Sequence, residues 1–196
     1  MILMNDIIRE GHPTLAQISD EVPIPLTDED KAILRDMMEY LTNSQDPEKG
    51  EELGLRPGVG LSAPQINIKK RLIVVFTTDE KGEKLYKLLL ANPRIIAHSE
   101  AKTYIPGGEG CLSVDREVTG LVPRYKKIRV RAHQYLPESD TVRQVELRIS
   151  GYVGVVIQHE IDHLNGILFV DKLEENLDQL EPIVFPVYEE EEESNQ

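Results

Sequence analysis

The chain has 196 residues, 40% of them hydrophobic, and a formal net charge of −13, a size and composition that support a single globular core. That charge excludes broad affinity for nucleic acid, DNA included, because phosphate binding depends on clustered Lys and Arg, and no apolar run approaches the ~20 residues that span a bilayer. The lone cysteine, Cys111, excludes an internal disulfide and points to a reduced, cytoplasmic compartment, and the opening Met1-Ile2-Leu3-Met4-Asn5-Asp6 lacks the basic region and apolar run of a secretory signal.

In chain order, residues 13–19 suit a short helical turn. Thr27 can cap a helix over residues 28–42, with Asp30 in the capping-box position and Ile33, Leu34, Met37, Met38 and Leu41 at helical spacing. Residues 46–58 are rich in charge, Gly and Pro and read as a loop or insertion. Residues 72–76 predict a strand, with 87–92 as its partner across a turn at 79–84, and residues 127–135 and 142–149 alternate as two further strands. From Tyr152 to Leu164 the apolar residues run nearly all round a helix, which is the pattern of a buried one, and Asn165-Gly166 gives its stop. A short strand-like run at 183–188 precedes five consecutive Glu. The expected class is therefore α+β, antiparallel strands around a buried central helix.

That helix carries His159-Glu160-Ile161-Asp162-His163. Residues four apart share a helix face with Cβ atoms roughly 5–6 Å apart, so two imidazoles can bind one ion. Glu160 lies about 100° around the axis from His159, placed to reach a water on that ion as a general base. Burying these groups without partners would cost several kcal/mol, and a cation removes that cost. His12, His98 and His133 have no such spacing and read as structural.

A third ligand is needed. Gly166 falls where an extended form of the motif wants a Gly, but Phe169 occupies the position of its third His. Glu174, Glu175 and Glu181 remain open as downstream ligands. Cys111 stands upstream in Gly107-Gly108-Glu109-Gly110-Cys111-Leu112-Ser113, where the glycines let backbone approach a ligand closely. A thiolate with two imidazoles and an open fourth position is a catalytic rather than a closed structural set.

Three segments in this order, Gly58-Val59-Gly60-Leu61-Ser62-Ala63-Pro64-Gln65, Glu109-Gly110-Cys111-Leu112-Ser113 and Gln158-His159-Glu160-Ile161-Asp162-His163, resemble the peptide deformylases. The resemblance implies that Cys111, His159 and His163 hold one divalent metal ion, ferrous iron with zinc or nickel able to substitute, and that Glu160 moves the proton. It implies that the Gln65 amide and the Leu112 N–H bind the developing oxyanion. Gly60 would pair its backbone with substrate, Gly110 would approach it closely, and Val59 and Val156 would wall the methionine pocket. Glu109 and Arg124 would brace the cysteine loop as an ion pair.

The activity so implied is removal of the formyl group from N-formylmethionyl nascent peptides, with release of formate. The expected organisation is one metallohydrolase domain over 1–188 and an acidic, solvated tail at 189–196. The insertion at 46–58 and the end of the chain resemble the longer, second class of the family; no basic docking tail is present, so ribosome proximity would need another contact. Two rivals stand beside this reading: a zincin-type metallopeptidase with a downstream carboxylate as third ligand, and a metal-stabilised binding protein without turnover.

Overall fold

The computed structural model describes residues 1–187, so the expected acidic tail and Tyr188 lie outside the described residues. Five antiparallel strands form the main sheet in the order β1-β2-β3-β6-β7: β1 Gly60–Ser62, β2 Leu72–Thr78, β3 Leu85–His98, β6 Lys127–Leu136 and β7 Thr141–Ser150. A small two-stranded ladder, β4 Lys102–Thr103 with β5 Arg124–Tyr125, stands apart from it.

Strand alternation divides the sheet between two cores. Leu72, Val74, Leu89 and Ala91 face helix α1, Asp28–Gln45, through Leu34, Met37 and Leu41. Ile73, Val75, Leu88, Leu90, Val130 and Ala132 face a second long helix at Gly151–Leu164, here α3, through Val153, Val156, Ile157 and Ile161. Residues 72–75 are accordingly 0% exposed, which explains why they read as an unbroken apolar run rather than an alternating one. The α+β class is as expected, with one correction: the sheet lies between two helices and does not simply surround one.

Local chemistry sets the ends of α3. Gly151 has φ +65°, and a Cβ there would meet the Glu80 carboxylate at 2.5 Å; that carboxylate accepts the Tyr152 N–H at 3.1 Å and answers the helix N-terminus. At the other end the Arg71 guanidinium donates to the Leu164 carbonyl at 3.0 Å, and Gly166 turns the chain with φ +72°, as the Asn-Gly stop predicts.

Three further expectations change. Residues 46–58 contain a short helix, α2 Pro47–Glu52, because the Asp46 side chain accepts from the Glu48 and Lys49 N–H groups and Pro47 opens the helix. Strand β3 continues past Asn92-Pro93, read as its end, because Asn92 adopts φ +50° in a bulge while its amide bonds both the Val22 N–H and C=O at 2.9 Å. The run at 183–187 forms no strand; Ile183 donates a single N–H to the Tyr104 carbonyl at 2.9 Å. No helix among the described residues is long and apolar enough to cross a membrane.

Candidate metal centre

Helix α3 brings His159, Glu160 and His163 into the interior, with exposures of 8%, 4% and 1% and the two imidazole centroids 5.0 Å apart. The loop before β5 delivers Cys111, whose Sγ lies 3.4 Å from His163 Nε2. One donor atom from each of Cys111, His159 and His163 lies within 4.8 Å of the others. Ligands that hold one ion at 2.0–2.3 Å cannot be much further apart than this, so the three can hold a metal ion. Glu174, Glu175 and Glu181 do not join the group: among the described residues it contains only these three, and Glu181 instead pairs with Lys126 at 2.7 Å.

The charges around the group favour a cation. Burial lowers His159, but hydrogen bonds to Cys111 and Glu109 more than reverse this, and its pKa stands well above the usual imidazole range. His163 is driven well below that range by burial and then by the His159 charge. At this site, the buried Glu160 Oε2 and His163 Nδ1 have no hydrogen-bond partner among the described residues.

A buried ionic chain braces this group from behind. Glu109 accepts from His159 Nδ1 at 2.9 Å, which leaves Nε2 for an ion, and takes Arg124 in a two-pronged pair at 2.9 and 2.8 Å. Arg124 also donates to Asp162 at 2.5 Å, and Lys172 closes the chain on Asp162 at 2.8 Å. Burial raises Glu109, but the Arg124 and His159 hydrogen bonds outweigh it and bring its pKa to about 2. Glu160 has no such partner, and burial lifts it to about 7.

The segment before β2 contributes Gln65 and Gly60. Gln65 Oε1 accepts the Ser62 N–H and hydroxyl at 3.0 Å each, which turns its NH₂ toward Cys111 Sγ at 3.6 Å and Ser113 Oγ at 3.2 Å. The Leu112 N–H has no acceptor among the described residues. A Cβ on Gly60 would stand 2.4 Å from Glu160 Oε1, so the glycine makes room for the carboxylate.

Two adjoining hollows open onto these groups. One, of about 280 Å³, is lined by Gly60, Gln65, Gly110, Cys111, Leu112 and Glu160 among others. The second, of about 240 Å³, is mostly apolar, with Val59, Val156, Tyr152, Ile105 and Phe185 in its wall, and reaches Glu109 and His159 on one side. A larger hollow of about 630 Å³ at the ends of β3, β6 and β7 contains none of the buried ionisable groups and is set aside. Apart from the downstream carboxylates Glu174, Glu175 and Glu181, the candidate site residues named from sequence gather in one region. Sequence reasoning missed Asp162, Ser113, Tyr152, Ile105 and Phe185; Asp162 was detectable as a charge on an otherwise apolar helix, whereas the others depend on tertiary proximity.

The sequence pattern of the Polypeptide deformylase family matches residues 4–179. A peptide deformylase of Halalkalibacterium halodurans is 52% identical over 174 residues, 89% of this chain and 92% of that one. Among solved structures, a K3U-bound class I type b peptide deformylase from Acinetobacter baumannii superposes with a TM-score of 0.70 at 28% identity, covering 88% of this chain and 99% of that one. The same enzyme with Met-Ala-Ser bound superposes at 0.64 and 30% identity, over 85% of this chain and 96% of that one.

Proposed function

The chain belongs to the polypeptide deformylase family, and from that premise we propose how its residues carry out the reaction. The enzyme is a hydrolase that removes the formyl group from the N-terminal methionine of newly made polypeptides and releases formate. Cys111, His159 and His163 would hold the metal, on the support of three buried donors within 4.8 Å of one another. Once bound there, a divalent ion lowers the pKa of a water it holds and polarises the formyl carbonyl.

Glu160 is the proton carrier. Its buried carboxylate borders the hollow, keeps one oxygen without a partner among the described residues and has its pKa lifted by burial to about 7, the range in which a group can both take and return a proton. It takes the proton of the attacking water, and the new C–O bond leaves a negative charge on the formyl oxygen. The Gln65 NH₂ and the Leu112 N–H donate to that oxygen; the Ser62 hydrogen bonds hold the amide in the required orientation. Collapse breaks the C–N bond, Glu160 returns its proton to the departing amine, and formate remains.

Substrate enters along β1, which is the edge strand of the main sheet. An extended peptide can pair with the outer side of Gly60 as an added strand, its first side chain directed to the apolar hollow that includes Val59 and Val156, with Gly110 at the rim. The Met-Ala-Ser complex of the Acinetobacter baumannii relative supports this choice of first residue.

We propose ferrous iron as the working ion on the family resemblance, with zinc or nickel able to substitute, since a thiolate and two imidazoles suit all three. The cytoplasm is the compartment proposed, from the single buried thiol. The longer class is supported by the chain length beyond the solved class I relative, of which 99% is covered while 88% of this chain is used. The observation that carries the function is the Cys111–His159–His163 group with Glu160 beside it in an open hollow. Incubation of the iron- or zinc-loaded protein with formyl-Met-Ala-Ser tests it: formate is the expected product, and intact peptide with loaded protein overturns the reading.

A further inference from the structure

Phe185 reaches the site from a segment that the family pattern does not include, since that match ends at residue 179. Beyond it, the chain is fastened to residues 103–104: the Thr103 hydroxyl donates to the Glu181 carbonyl at 2.8 Å, and the Ile183 N–H donates to the Tyr104 carbonyl at 2.9 Å. Ile183 is anchored at 6% exposure, whereas Val184 and Phe185 stand at 75% and 40%. The Phe185 ring packs edge-on against Tyr152, centroids 5.4 Å apart at 73°, and faces Val59 and Val156 across the apolar hollow.

We propose that Phe185 is a specificity-determining residue: its ring forms the outer wall of the hollow that takes the substrate's first side chain and limits that hollow to an unbranched apolar chain. The inference rests on the deformylase reading. Val156 lies on the buried helix α3 and Val59 next to β1, so neither can retreat. Phe185 is held on one side by Tyr152 and is otherwise partly open, so the side chain that enters covers its exposed face. The ring lines the outer hollow and not the inner one that holds Gln65, Cys111 and Glu160, and the residue therefore acts on KM and on selection between side chains, not on kcat.

The test uses full-length, metal-loaded Phe185→Ala and Phe185→Trp with formyl-Met-Ala-Ser and formyl-Phe-Ala-Ser. Phe185→Ala is expected to raise KM for the Met peptide with kcat within about twofold, and to lower the preference for Met over Phe in kcat/KM by ~10-fold or more, the scale on which an apolar wall discriminates. The chain has no Trp, so the indole of Phe185→Trp reports alone, and its emission is expected to shift when Met-Ala-Ser saturates the protein. That shift carries the test where Phe185→Ala fails to fold. An unchanged Met/Phe preference in a folded Phe185→Ala, or an indole that does not respond to saturating peptide, overturns the proposal while leaving a deformylase. Absence of formate from every peptide with the wild-type chain overturns the deformylase reading itself.

Discussion

Gly60 and Glu160 compete for one small volume, and the glycine is what lets the carboxylate win. A Cβ at 60 would approach Glu160 Oε1 to 2.4 Å and its Cγ to 2.9 Å, so Gly60→Ala must push Glu160, the proposed proton carrier, away from the hollow. Turnover is expected to fall by at least ~10²-fold, the contribution of a positioned general base, with metal content unchanged; Gly107→Ala, where nothing lies within 4 Å of the added atom, is the control. Elemental analysis and formate assays on both variants check this, and a Gly60→Ala enzyme of normal rate would remove the steric argument. The ligands should part cleanly from the base: Cys111→Ala, His159→Ala and His163→Ala are each expected to lose stoichiometric metal, whereas Glu160→Ala keeps it and loses rate. Full metal and activity in Cys111→Ala would return the third-ligand role to a downstream carboxylate.

At the scale of the elements, α3 and the loop before β5 meet through buried charge. Glu109, on the loop, holds His159, and Arg124, on β5, holds both Glu109 and Asp162, so three separate stretches of chain converge on one guanidinium. Arg124→Met leaves two buried carboxylates short of a cation and is expected to destabilise the fold by about 3–5 kcal/mol, read by denaturant unfolding of the metal-free and metal-loaded forms. Glu109→Gln is milder: metal affinity, measured against a chelator, should drop roughly 10–100-fold, and an unaltered affinity would mean that Glu109 does not tune His159. The sequence shows the α3 triad plainly, because polar groups on an apolar helix have no other explanation than shared partners. It shows Asp162 as one more charge on that helix, but nothing local says that this carboxylate reaches Arg124. Helix α2 was hidden by composition, although its Asp46-Pro47 opening was in view, and β3 was cut short because Asn-Pro normally ends a strand; the tertiary bonds from Asn92 to Val22 override that preference.

At the scale of the molecule, α3 is pressed against one face of the sheet, β1 forms that sheet's edge and the cysteine loop lies over both, which leaves a narrow enclosure with backbone on two sides. Gly60 and Gly110 line the inner hollow, and Glu160 fills the only room that Gly60 releases. A formyl group, with hydrogen as its substituent, asks less of such a space at the carbonyl carbon than an acetyl group, whose added methyl would press toward Glu160 or the Gly60 backbone. The edge position of β1 adds a second restriction on the proposed binding mode, because a chain paired there by its N-terminus, with the methionine side chain in the outer hollow, would have to thread both arms past the loop to bring an internal peptide bond to the Cys111–His159–His163 group. Formyl-Met peptides are therefore expected to be cleaved at least ~10²-fold faster than acetyl-Met peptides, the cost of misplacing the reacting carbon by about 1 Å, with no internal cleavage. Mass spectrometry of a mixture of formylated, acetylated and free peptides exposed to the metal-loaded enzyme measures both at once; equal rates on the two caps, or fragments from internal bonds, would show that the enclosure is wider than the Gly60–Glu160 contact implies.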